Sequence, residues 1–128
     1  MTTKTIIRIG WGLSTLFGLF MLGASVTPKL SGMAIADQTM VDLGWTGSPI
    51  LLIGCLELIC TLLYLFPPTG LLGASLMMAI LGGAITTQMR AGAPLALHTL
   101  FGIYLGVIMW AGLILRDPRL RAVFPWTR

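Results

Sequence analysis

The chain has 128 residues, enough for one domain, with 9% charged and 56% hydrophobic residues. A soluble domain carries about 25% charged residues, so this composition excludes an ordinary water-facing surface and points to one that meets lipid. The net charge of +4 requires no nucleic-acid partner: basic residues cluster at the two ends of the chain, where anionic headgroups attract them.

A membrane-crossing helix needs about 20 mostly apolar residues. Four stretches qualify, at roughly 6–27, 47–66, 70–89 and 95–115. Their apolar runs are continuous and do not alternate, which selects helices over barrel strands. The fold class read here is therefore all-α: residues 1–128 form a single transmembrane domain, an integral membrane four-helix bundle. The first apolar run exceeds the roughly 7–15 residues of a signal-peptide core, so it is read as a retained span.

Between the first two spans, Met33, Ala36, Met40 and Leu43 recur at spacings of three and four, with Asp37, Gln38 and Asp42 turned away. That pattern predicts a short interfacial helix. Pro67-Pro68-Thr69-Gly70 ends the second span, Arg90-Ala91-Gly92-Ala93-Pro94 separates the third from the fourth, and Asp117-Pro118 closes the fourth. The tail, 116–128, interleaves Arg119, Arg121 and Arg128 with Leu120, Val123, Phe124 and Trp126, a mixture suited to the headgroup layer. Trp11, Trp45 and Trp110 fall near span ends, where indoles prefer to sit. Lys4, Arg8, Arg116, Arg119, Arg121 and Arg128 on one side outnumber Lys29 and Arg90 on the other. The positive-inside rule then places both termini in the cytoplasm.

Helices in lipid associate through close backbone packing. Candidate grooves are Gly10, Ser14 and Gly18 in the first span, Ala79, Gly83 and Thr87 in the third, and Gly102 and Gly106 in the fourth. In the second span Gly54, Glu57, Thr61 and Tyr64 lie on one helical stripe. The stripe is expected to face inward, because an acid exposed to the bilayer centre costs about 2.5 kcal/mol or more. Glu57 has three ways to be accommodated: protonation by burial, pairing with a cation, or hydrogen bonding to Thr61, Ser14 or Tyr104. The candidate cations are Lys29, Arg90 and His98, all on the non-cytoplasmic side of Glu57. Together these residues would form a polar pocket open to that side; the alternative is an interhelical clamp without chemistry.

Cys55 and Cys60 are five residues apart, about 140° around one helix, and cannot bridge each other. One histidine and four scattered carboxylates suggest no metal site, and neither a phosphate loop nor a nucleophile elbow occurs. No catalytic residue is identified.

The chain resembles the DoxX-like family of small four-span bacterial membrane proteins. The resemblance is carried by "GCLELICTLLYLFPPTGLLGA" (54–74), "LGGAITTQMRAGAP" (81–94), "LFGIYLGVIMWAGLILRDPRLRAVFP" (100–125) and "TPKL" (27–30). It implies the bacterial cytoplasmic (inner) membrane and a polar pair formed by Lys29 and Glu57. Relatives often carry His where this chain has Gln88, which argues against an imidazole at that point of the pocket. The family is named for a subunit of an archaeal thiosulfate:quinone oxidoreductase; other members are linked to membrane responses to oxidative stress, and distant relatives act as chaperones or cargo receptors.

Two functional readings follow. In the first, the protein is an accessory subunit of a membrane electron-transfer system. It binds a quinone or another small ligand at Glu57, with Lys29, His98, Thr61, Tyr64, Arg90, Gln88 and Tyr104 as pocket residues. Its partner would be another membrane or peripheral redox protein, or a second copy of the chain. In the second, it is a non-catalytic scaffold or chaperone-like protein whose Glu57 clamps the bundle. Solute passage fits poorly, because four helices leave little room for a pore. No cofactor motif is evident.

Overall fold

The computed structural model describes residues 2–94, 96 and 99–126. Among them every regular element is helical. Thr2 caps α1 (Thr3–Phe20), its hydroxyl accepting the Thr5 backbone N–H at 3.2 Å. The helix then widens into a π-helical segment, Met21–Val26, and continues as α2 (Thr27–Leu30). Pro28 explains the widening. It has no N–H to give, and in a regular helix its ring would strike the carbonyl of Ala24. The Thr27 N–H bonds to Leu22, five residues back. The proline therefore bends the first span's pattern without ending it, and the helix runs three residues past the expected boundary at 27.

Gly32, at φ 68°, ends this run. α3 (Ala34–Asp42) follows, as the amphipathic spacing predicts. Ala36, Met40 and Leu43 are half-buried and Asp37, Gln38 and Asp42 exposed, but Met33 precedes the helix and is exposed. α4 (Ile50–Leu65) leads through a 3-10 turn at Pro67–Thr69 into α5 (Gly70–Arg90). α6 (Phe101–Arg116) and the short α7 (Pro118–Arg121) complete the fold.

α1 packs along α6, α4 along α5, and α5 along α6, while the π segment and α2 lean on α4. Glycines set the closest approaches. A Cβ on Gly10 would lie 2.7 Å from the Leu115 carbonyl carbon, one on Gly112 2.7 Å from Ser14 Oγ, and one on Gly73 2.6 Å from Tyr64 Cα. Gly10, Ser14 and Gly18 are buried as their spacing suggests. A Cβ on Gly54 would meet Lys29 Cβ at 2.9 Å, and one on Gly102 Ile85 Cγ1 at 2.8 Å; Gly106 leaves ordinary contact with Met78. Gly83 is different: among the described residues no atom of another helix lies within 4 Å of where its Cβ would be, so none of the described helices fills that groove.

The burial pattern is inside out for a water-soluble protein. Leu16, Leu19, Leu51, Leu52, Ile59, Leu62 and Val107 are exposed, while Ser14, Glu57, Thr61 and Arg116 are buried. Such an apolar exterior fits lipid. Two helical runs, Thr3–Leu30 and Pro67–Arg90, are long and apolar enough to cross a membrane; Ile50–Leu65 and Phe101–Arg116 are apolar but shorter.

Candidate functional site

The site is built on the π segment. The wider turn carries Ser25 one helical turn before Lys29, and both face α4 at Glu57. Lys29 Nζ lies 3.1 Å from Glu57 Oε2 and 3.3 Å from Oε1, and it also donates to Ser25 Oγ at 2.7 Å and to the Ser25 carbonyl at 3.3 Å. Ser25 in turn donates to Glu57 Oε2 at 2.8 Å. Lys29, Ser25 and Glu57 thus form a closed ring of hydrogen bonds. The side chains of Lys29 and Glu57 are 13% and 8% exposed. Gly54, one turn before Glu57, admits the Lys29 stem against α4.

This ring forms part of the wall of a cavity of about 480 Å³. Phe20, Leu56, Ile85, Phe101 and Leu105 contribute apolar wall, and Ala79, Gly83 and Thr87 on α5 face the space. The small-residue stripe of the third span therefore lines a cavity and does not seat a helix. Thr39, Met40, Leu43 and Trp45, on α3 and just after it, lie across the outer end, with Gln88 near the end of α5. Phe20 and Phe101, 5.5 Å apart between ring centroids, bridge α1 and α6.

The remaining candidates are distributed differently. Thr61 is buried, but its hydroxyl donates to the Glu57 backbone carbonyl at 2.7 Å and does not touch the carboxylate. Tyr64 is fully buried two turns below Glu57, where its hydroxyl donates to the Met109 carbonyl at 2.6 Å. Ser14 pairs with that hydroxyl at 3.0 Å, not with Glu57. The Tyr104 hydroxyl donates to Ala96 at 2.9 Å, and its side chain is exposed. Arg90 is exposed and lies off the cavity, beside Asp42 and Gly44. His98 lies outside the described residues. Of the three ways to accommodate Glu57, the structure uses cation pairing, with Lys29 as the cation and Ser25 as an added donor.

Two polar residues escape sequence reasoning. Ser25 stands seven residues after Gly18, on the continuation of the Gly10–Ser14–Gly18 face, and four before Lys29; that spacing is the available signal. Arg116, read as a surface basic residue, is 7% exposed. Its guanidinium carbon lies 4.4 Å from the Trp11 ring centroid and 4.6 Å from that of Tyr64, and Nη2 donates to the Tyr64 carbonyl. It thus serves the last turn of α4, where carbonyls lack helical partners. Cys55 is exposed and Cys60 buried, and both are free thiols. Among the described residues no cluster of His, Cys, Asp or Glu could hold a metal.

Compared with known proteins, the chain matches the sequence model of the DoxX-like family over residues 12–112. That stretch includes Ser25, Lys29, Glu57 and Gln88. No curated protein and no solved structure gives a significant match.

Proposed function

The chain belongs to the DoxX-like family, and from that premise we propose that it is a four-span protein of the bacterial inner membrane that binds a small apolar ligand beside the Lys29–Ser25–Glu57 ring. It serves there as an accessory subunit of a quinone-linked membrane redox system. The observation that carries the reading is the cavity itself. At about 480 Å³ it falls within the roughly 300–1,000 Å³ of small-molecule sites, and it has their usual character of apolar walls with a few placed polar groups. A flat ring with a polar edge suits such walls: the ring meets Phe20, Phe101 and Leu105, and the edge meets the Glu57 corner. A bound quinone would supply the redox chemistry. The chain's own residues would orient the ring and keep water from it.

The test uses the full chain in detergent, titrated with 2-decyl-1,4-benzoquinone and with its quinol while tryptophan fluorescence is followed, since Trp45 lines the cavity. Saturable quenching by at least one form is expected, and it should vanish in Gly83→Phe, whose ring enters the open space. Equal quenching in both proteins would overturn the reading.

One observation favours a second role for the same ring. The Lys29–Glu57 pair joins α2 to α4, so it also clamps two helices. If clamping were the whole role, Glu57→Ala would lower the melting temperature and no ligand would bind the parent protein.

A further inference from the structure

Hydrogen-bond accounting in the cavity points to the chemical class of its ligand; this rests on the ligand-binding reading above. The three Lys29 protons are directed to Ser25 O, Ser25 Oγ and the Glu57 carboxylate. The single Ser25 proton goes to Glu57 Oε2. The hydroxyl protons of Thr39 and Thr87 go to the carbonyls of Ile35 and Gly83, at 2.7 and 2.8 Å, and that of Thr99 to the Ala93 carbonyl at 3.3 Å. What the inner wall has left is acceptor capacity. The largest share is on Glu57 Oε1, which receives only the 3.3 Å contact from Lys29 although a carboxylate oxygen has two lone-pair sites. Among the described lining residues, the side-chain N–H donors without a hydrogen bond to another described residue are those of Trp45 and Gln88, and both stand toward the outer end. Charge points the same way. Lys29 and Glu57 offset each other inside an apolar wall, so neither an anion nor a cation gains a free counter-charge and each would lose its water.

We infer that the cavity selects a neutral, largely apolar molecule bearing a hydroxyl donor, an alcohol or a phenol, whose O–H is received by Glu57 Oε1. An ether or ketone of the same shape presents only acceptors to an acceptor wall. By the same rule the dihydroxy form of a quinone ranks ahead of its dicarbonyl form.

The experiment compares three probes of nearly equal shape on the full chain in detergent: 4-butylphenol, its methyl ether 4-butylanisole, and 4-butylbenzoate. Binding is read by tryptophan fluorescence and by the shift in melting temperature, with Gly83→Phe as the blocked control. The phenol is expected to bind at least about tenfold more tightly than the ether, the order of one hydrogen bond to a charged acceptor, with the benzoate weakest. In Glu57→Gln the preference for phenol over ether should shrink severalfold; the probe series on the parent protein stands even if this variant does not fold. Equal affinity for phenol and ether, both abolished by Gly83→Phe, would leave the pocket intact and sink the donor rule. Tightest binding by the benzoate would sink it as well. If none of the probes binds, or Gly83→Phe changes nothing, the pocket falls and the donor rule with it.

Discussion

The same substitution should act differently at two glycines of α5 that lie nearly three helical turns apart. At Gly73 an added Cβ would press on the backbone of Tyr64, which is held by its own helix and by Arg116. Gly73→Ala is expected to cost about 1–3 kcal/mol, the usual range for overpacking, and to lower the melting temperature in detergent. At Gly83 the Cβ would meet no atom of another helix within 4 Å among the described residues, so Gly83→Ala should be neutral or stabilising, with an upper bound of about 1 kcal/mol from helix propensity. The sequence could not separate these two residues, because both sit in small-residue stretches of one apolar span. Periodicity assigns a residue to a helix face. It does not say whether that face meets backbone, side chains or open space. The stripe of Gly54, Glu57, Thr61 and Tyr64 was legible for the same reason, and all four are buried. The stripe nevertheless crosses two environments, with the cavity at Glu57 and a dry hydrogen-bonded core at Tyr64. Depth along the helix is invisible to a pattern that only counts residues around it.

At the scale of elements, the π segment and α3 decide what the cavity can do. The π segment was not legible from hydropathy, since one wider turn leaves the apolar run unbroken; Pro28 was its only mark. α3 was legible from its spacing, and it packs chiefly on α2, between the positive-φ glycines Gly32 and Gly44. An element so placed can close the cavity without supporting the core. The Met40→Ala/Leu43→Ala double variant is therefore expected to speed 4-butylphenol dissociation severalfold in stopped-flow fluorescence while leaving the melting temperature nearly unchanged. A large drop in melting temperature would mean that α3 is part of the core. At the other end, Asp117 caps α7, accepting the Arg119 N–H at 3.0 Å. Burial pushes its pKa up, but the hydrogen bonds and charge of Arg119 and the Leu120 N–H outweigh this and hold it below the usual 3.8. A carboxyl depressed on folding contributes stability above its unfolded pKa and loses it as pH falls through the folded value. The Trp110 indole signal, which reports stacking on Phe124 at 4.8 Å, should therefore shift on acidification below about pH 4, and Asp117→Asn should abolish that titration.

Across the whole molecule, polar groups occupy two layers. The Lys29–Ser25–Glu57 ring lies toward the end that holds Trp45 and Gln88, and the Ser14–Tyr64–Arg116 cluster lies toward the chain termini. The basic residues Lys4, Arg8, Arg119 and Arg121 accompany the second layer, so in the proposed inner-membrane topology the positive-inside rule predicts an extracytoplasmic cavity mouth. The shorter helices do not contradict four crossings. Sixteen residues in α4 and in α6 give about 24 Å each, somewhat less than the roughly 30 Å hydrocarbon core, a mismatch that local thinning absorbs at modest cost. Orientation can be tested with single cysteines in a Cys55→Ala/Cys60→Ala background. Arg90, the last residue of α5, is exposed at the cavity end, and the Arg119 side chain is 88% exposed at the terminal end. In intact cells a membrane-impermeant maleimide should label Arg90→Cys, and it should reach Arg119→Cys only after permeabilisation. The reverse pattern would place the cavity mouth in the cytoplasm, and ligand would then arrive from inside the cell. Labelling of both positions in intact cells would mean an odd number of crossings between residues 90 and 119 is wrong, and the fourth span with it.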